Sequence, residues 1–364
     1  MIHVPEELVA SQAKYNGEAG RAFVAGLPDR AREFLGRWGL RVTGPSMYGM
    51  ASLVLPVERV ADGGRAALKL QILDEETEGE PTALRVWDGA GAVRLLDHDA
   101  GTGTMLLERL DETRPLSSVA DTREALRIVA DLLARLAAVP APEGLRRLGD
   151  IAADMLAQVP AAASRLGTAD AAVLRDCAAA VREVAGEPGD RLLHWDLHLG
   201  NVLASGPDGP GMGMGEALAD GPGMWMGKAS SCGSGMGMGM GMREASAGGS
   251  GVSGRAGGPG NGEELVGGRS SGDRGAWLAI DPKPLAGDPG FELLPALTDR
   301  FDPDPDELLW RFDLLAEVVG DRRRAVAWTL GRVLQNGLWD VEDGEPELDA
   351  EQVALARTLL ARRA

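Results

Sequence analysis

Two short stretches of this chain carry carboxylates and an amide at spacings that suit phosphoryl transfer: His194-Trp195-Asp196-Leu197-His198-Leu199-Gly200-Asn201 and Ile280-Asp281-Pro282-Lys283-Pro284. Moving a γ-phosphoryl group asks the protein for little covalent chemistry. The protein must aim a hydroxyl at phosphorus and neutralise charge, largely through Mg²⁺. In a His-x-Asp-x-x-x-x-Asn loop the aspartate accepts the hydroxyl proton and the asparagine five residues on reaches a metal ion. Asp196 and Asn201 hold those positions, and Asp281 ends a later apolar run as a second Mg²⁺ ligand. As ordinary turn-capping residues the two aspartates would need neither this order nor this strand context. His194, Asp196 and His198 also have zinc-ligand chemistry, but four histidines and two cysteines scattered along the chain offer no complete set.

These residues need elements to position them. Leu192-Leu193 and Val202-Leu203 read as short strands flanking the first loop, and Ala276 to Ile280 as the strand that delivers Asp281. Upstream, Leu40-Arg41-Val42, Ser52 to Val57 and Arg65 to Ile72 read as three strands joined by glycine-containing turns. Lys69 lies inside the third, where a strand lysine reaches the α- and β-phosphates. A helix is expected from about Glu76, with Glu80 the best partner for Lys69 and Glu78 the runner-up; Pro81 suits a first turn beginning near Glu80. Between the first two strands, Gly44 to Ser52 could fold over the phosphates through backbone N–H groups, with Gly49 and the Ser52 hydroxyl as contacts, or form an ordinary hairpin turn. Ala92 to Leu96 and Thr104 to Glu108 would complete a five-stranded antiparallel sheet.

The second half reads as helical. Asp121-Thr122-Arg123-Glu124 has capping-box spacing and opens a segment with Leu126, Val129, Leu133 and Leu136 on one face. A helix from Thr168 to about Gly186 ends at that glycine, and Pro305 to Val319, Arg322 to Trp339 and Glu351 to Ala364 read as three more.

His194 to His198, together with Leu278-Ala279-Ile280-Asp281-Pro282-Lys283-Pro284-Leu285-Ala286-Gly287-Asp288-Pro289-Gly290-Phe291-Glu292-Leu293, resembles the aminoglycoside and hydroxyurea phosphotransferase family, in its streptomycin 6-kinase branch. The similarity runs from about Trp38 to Trp339. It implies an α+β, two-lobed, protein-kinase-like fold: an N-lobe over residues 1–110 with an antiparallel sheet and one helix, and a mainly helical C-lobe over 111–364. It implies ATP and Mg²⁺ as cosubstrates and transfer of phosphate to a hydroxyl of a small antibiotic, streptomycin-like or hydroxyurea. By position and analogy, Glu108-Arg109-Leu110 is the hinge that meets adenine, with Glu108 and Leu110 as contacts.

Composition narrows the partners. No apolar run approaches the ~18–20 residues of a membrane-spanning helix, and Met1 to Glu7 lacks the basic and apolar regions of a signal peptide. Two cysteines make no disulfide framework, so a cytoplasmic location is expected. A net charge of −18 argues against nucleic acid and favours a cationic small molecule, bound by a monomer. Asp299, Asp302, Asp313, Glu317, Asp340 and Glu342 are the carboxylates that could receive such a ligand, and surface or capping roles suit each of them as well.

Residues 204–275 depart from the family, whose members join the two strands by a short hairpin. This stretch holds 25 of 51 glycines and 8 of 13 methionines, too little apolar surface to offset backbone entropy, and is expected to be a disordered insertion. Its alternating Met-Gly run could bind Cu(I) or partners, but low-complexity expansion explains it more simply. The rival readings are a kinase of another amino-alcohol or sugar, and a nucleotide-binding protein without catalysis.

Overall fold

The structure is a computed structural model that describes residues 2–206 and 276–362. In chain order it comprises α1 (Glu6–Tyr15), α2 (Gly17–Arg37), β1 (Leu40–Val42), β2 (Met47–Tyr48), β3 (Ser52–Arg59), β4 (Arg65–Gln71), α3 (Glu80–Trp87), β5 (Leu95–Asp99), β6 (Thr104–Glu108) and β7 (Asp111–Pro115). There follow α4 (Thr122–Leu136), β8 (Arg146–Arg147), α5 (Leu148–Ala163), α6 (Thr168–Val184), β9 (Arg191–Leu193), β10 (Val202–Ala204), β11 (Trp277–Ala279) and β12 (Leu285–Gly287). The last helices are α7 (Leu293–Thr298), α8 (Pro305–Val319), α9 (Arg322–Asp343) and α10 (Ala350–Ala361).

The first lobe is an antiparallel sheet in the order β1-β3-β4-β6-β5, with β2 pairing on β3. Strand alternation sorts its residues. Ala66, Leu68 and Leu70 of β4 join Leu53, Leu55 and Val57 of β3 in one core, while Ala67, Lys69 and Gln71 point to the other side. That first core is covered by α1 and α2, through Leu8, Phe23, Val24, Leu27, Ala31 and Phe34. The sequence reading does not anticipate these two helices: α1 carries few apolar residues, and Pro28 interrupts the pattern of α2. At their corner only glycine fits, because a Cβ on Gly20 would lie 2.1 Å from the Gln12 carbonyl oxygen.

Three other expectations need correction. The sheet has six strands rather than five, and its edge strand runs from Leu95 rather than Ala92, because Ala92 bridges to Ala279 and the Val93 N–H donates to the Ala279 carbonyl (2.8 Å). The helix expected from Glu76 begins at Glu80, since the Asp74 carboxylate captures the Glu76 and Thr77 N–H groups in a turn. Helix α6 stops at Val184 with Ala185 as its cap, and Gly186 does not take the left-handed conformation of a terminal glycine.

In the second lobe, α6 packs on α9 and α4 on α8 around one large core. Asp121 caps α4 by accepting from the Arg123 and Glu124 N–H groups. Helices α5 and α7 are additional to the sequence reading, and α9 runs four residues past Trp339. Two small sheets hold the loops of interest: β11-β10-β7 and β8-β12-β9. Ala204 belongs to β10 and pairs with Trp277, so regular structure extends one residue into the stretch read as an insertion. Residues 207–275, and with them the Met-Gly run and Cys232, lie outside the described residues.

Candidate active site

Asp196 lies between β9 and β10, on a loop that closes with a single turn of 3₁₀ helix at Leu199–Asn201. Asp281 follows β11. The antiparallel register Val202↔Ala279 and Leu203↔Leu278, with the Ile280 N–H donating to the Asn201 carbonyl (2.9 Å), brings the two motifs side by side. Trp195 and Asp281 both adopt positive φ (67° and 58°), a conformation that aspartate tolerates but that is costly for a side chain as bulky as tryptophan. Trp195 is held there by Glu292, whose carboxylate accepts its backbone N–H at 2.7 Å, and by Arg146 and Arg332, each 4.5 Å from the indole centre.

His194 is a brace. Buried and neutral, its Nε2 bonds the Ile280 carbonyl at 3.0 Å, which ties the Asp196 loop to the Asp281 strand. Burial, against the pull of Asp196 and Asp281, lowers its pKa to about 4. Asp299 accepts the Leu199 N–H (2.5 Å), and the amide of Asn201 donates to the Asp196 carbonyl (3.0 Å) and carboxylate (3.2 Å). Burial disfavours the Asp196 carboxylate, but Lys283 first, then His198 and Arg332, hold its pKa well below the usual range. Asp196 is therefore ionised.

Lys69 donates to both oxygens of Glu80 (2.7 and 2.8 Å) and to Asp281 Oδ1 (2.5 Å). Glu80 is the partner rather than Glu78, which is exposed. Burial opposes the lysine charge, yet the two carboxylates outweigh it and raise its pKa. Burial pushes Glu80 up to about 7 against the pull of Lys69. The cluster holds two carboxylates and one ammonium.

Lys69, Asn201 and Asp281 open onto a cleft of about 790 Å³ counted with its open mouth. Its lining includes Gly49, Ser52, Lys69, Glu108, Leu110, Asn201 and Asp281. Gly49 and Ser52 belong to the β2–β3 hairpin, closed by Gly49 N–H to the Ser52 carbonyl (3.0 Å). The tip of that hairpin is tied to α1: Gln12 and Ser11 both donate to the Met50 carbonyl, at 2.8 and 3.1 Å. At the opposite wall the chain leaves the first sheet at Glu108 and enters the second at Asp111. The Glu108 carboxylate accepts the Arg94 N–H (2.8 Å).

Several residues around the site had no signal in spacing alone. Glu76, in the turn before α3, lies 3.9 Å from Lys283, and Lys283 lies 3.6 Å from Asp196. Glu292, Arg146 and Arg332 meet Trp195 from distant parts of the chain. Of the carboxylates proposed for a cationic ligand, Asp299 braces the Asp196 loop, Asp302 accepts the Asp304 N–H, Asp313 pairs with Arg322, and Asp340 accepts the Asp349 N–H. Glu317 and Glu342 are exposed.

Comparison with known proteins agrees with this arrangement. A family model described as aminoglycoside/hydroxyurea antibiotic resistance kinase matches residues 37–217. The chain is 52% identical to a hydroxyurea phosphotransferase of Kitasatospora aureofaciens, over 100% of this chain and 87% of that one. It is 46% identical to a streptomycin 6-kinase of Streptomyces glaucescens, over 99% and 97% of the two chains. The fold is similar to that of aminoglycoside phosphotransferase APH(4)-Ia, solved with ADP and hygromycin B: TM-score 0.52 over 92% of this chain and 98% of that one, at 12% identity. With 52% identity across its whole length, the chain belongs to the aminoglycoside/hydroxyurea antibiotic resistance kinase family and is a phosphotransferase with a two-lobed, protein-kinase-like fold.

Proposed function

We propose that the protein moves the γ-phosphate of ATP to a hydroxyl of a small antibiotic, a streptomycin-like aminoglycoside or hydroxyurea, and so inactivates it. The observation that carries this reading is that Lys69, Asn201 and Asp281 line one cleft, with Asp281 in contact with Lys69 and the Asp196 carboxylate held 3.2 Å from the Asn201 amide. Asp196, ionised and 20% exposed at its side chain, takes the proton of the acceptor hydroxyl. Lys69, fixed by Glu80, holds the α- and β-phosphates. The β2–β3 hairpin, with Gly49 and Ser52, covers the phosphates, and the Glu108–Leu110 backbone receives adenine.

The residues present also fit Mg²⁺. Asp281 offers a 41% exposed carboxylate, and the Asn201 amide, having spent its N–H₂ on Asp196, retains its oxygen as a ligand. No group of three metal-ligating side chains occurs among the described residues, which suits an ion held by one or two protein oxygens together with substrate phosphates. Bound there, Mg²⁺ would neutralise charge on the phosphates. Lys283 stands beside Asp196, with Glu76 beyond it, as polar groups available to an acceptor.

Mass spectrometry of streptomycin and of hydroxyurea, each incubated with the protein, ATP and Mg²⁺, tests the reading. A gain of one phosphate on either compound is expected. ATP binding with neither compound modified would overturn it in favour of another acceptor or a nucleotide-binding role.

A further inference from the structure

We propose that Lys283 is a further catalytic residue, one that contacts the transferring phosphoryl group on the acceptor side of the cleft. This rests on the phosphotransfer reading given above, and it assigns a role to a side chain that the motif of Asp196, Asn201 and Asp281 does not include.

The Lys283 ammonium lies 3.6 Å from Asp196 Oδ2 and 3.9 Å from Glu76 Oε2, with its side chain 29% exposed. Among the described residues it is the one lysine or arginine within 4 Å of the Asp196 carboxylate. It follows Asp281 by two residues, and its backbone N–H donates to the His194 carbonyl at 3.0 Å. Its base is therefore anchored to both carboxylate-bearing loops. Pro282 and Pro284 on either side restrict the backbone, so the stem leaves the main chain in a fixed direction while its four carbons stay adaptable. Lys69 is fully engaged on the far side by Glu80 and Asp281. The acceptor side thus has its own cation.

In the transfer step the bond from the γ-phosphorus to the ADP oxygen breaks as a bond to the acceptor oxygen forms. The acceptor proton passes to Asp196, and ADP leaves. Negative charge is spread over the three equatorial phosphoryl oxygens while the Asp196 carboxylate is close by. An ammonium beside both would stabilise that charge more in the transition state than in the ground state. Glu76 holds the ammonium when no phosphate is present.

Steady-state kinetics of Lys283→Met and Lys283→Arg test this, with Asp196→Ala in the same series and ATP affinity measured separately by binding. Lys283→Met should lower kcat by about 10²-fold or more while the KM and binding constant for ATP stay within about threefold, and Lys283→Arg should recover part of the loss. A kcat for Lys283→Met within about threefold of the parent overturns the proposal, as does a fall in kcat matched by an equal loss of ATP affinity, which would mean a structural role. If Asp196→Ala is also fully active, the placing of the reaction at Asp196, on which this proposal rests, has failed, and the failure does not belong to Lys283 alone.

Discussion

Acidification from about pH 7 to about pH 5 will remove about 2 kcal/mol of folding stability through His194 alone. In the folded protein this imidazole is 1% exposed, and its pKa is about 4 against an ordinary 6.5. Between those values the unfolded chain binds a proton that the folded chain does not, so the contribution is complete above about 6.5 and is lost as the pH falls toward 4. At about 1.4 kcal/mol per unit the full effect approaches about 3 kcal/mol, and roughly two-thirds of it is spent by pH 5. Glu80 and Glu292 act in the opposite sense. Burial raises both to about 7, so acidification relieves their cost, and the pH profile of the parent protein alone is not diagnostic. The comparison that isolates His194 is with His194→Gln, which keeps a donor for the Ile280 carbonyl but cannot be protonated. Urea unfolding followed by tryptophan fluorescence at both pH values should show the parent losing about 2 kcal/mol more than the variant. With four histidines in the chain, the His194 ring proton can also be followed by NMR, and it should not titrate above about pH 5. Equal losses in the two proteins, or a His194 midpoint near 6.5, would refute the reasoning.

Lys69→Met strands the buried Glu80 carboxylate and should cost about 3–5 kcal/mol, with loss of ATP binding; adding Glu80→Leu should restore stability in thermal or urea unfolding, though not nucleotide affinity. Gln12→Ala removes the shorter of the two hydrogen bonds that tie the hairpin tip to α1 and should raise the KM for ATP about 5- to 10-fold, the worth of roughly one hydrogen bond, with the acceptor KM unchanged; an unchanged ATP KM sinks the idea. Replacing residues 207–275 by a short Gly-Ser turn should leave kcat within about twofold, because the Ser205 N–H already meets the Ala276 carbonyl at 2.9 Å and β10 pairs with β11; loss of turnover would show that the segment contributes to the site.

What could be read from the sequence, and what could not, follows from the range of the interactions. Asp196, Asn201 and Asp281 announce themselves because their roles need fixed spacing within a loop or at a strand end, and Lys69 because it lies in an alternating strand whose other face is apolar. Helices α8 and α9 were legible from their long apolar faces. Helix α1 was not, because only Leu8 and Gln12 of its ten residues are buried and its fit to the sheet is decided by tertiary contact. The turn before α3 was misjudged because Asp74 competes for backbone donors that a helix would use. Glu76, Glu292, Arg146 and Arg332 were silent for a further reason. Glu76 reaches Lys283 and the other three reach Trp195, each from a separate segment, and no local pattern records a contact between residues as far apart as Trp195 and Glu292, or Trp195 and Arg332.

The central claim is that Asp196 accepts the proton of the acceptor hydroxyl in a cleft that binds nucleotide independently of it. The direct measurement is turnover of Asp196→Ala with saturating ATP and the acceptor that the parent phosphorylates, beside its ATP binding constant. A fall in kcat of about 10²- to 10⁴-fold with ATP affinity within about twofold is the predicted result. Parent-like turnover by Asp196→Ala would contradict it.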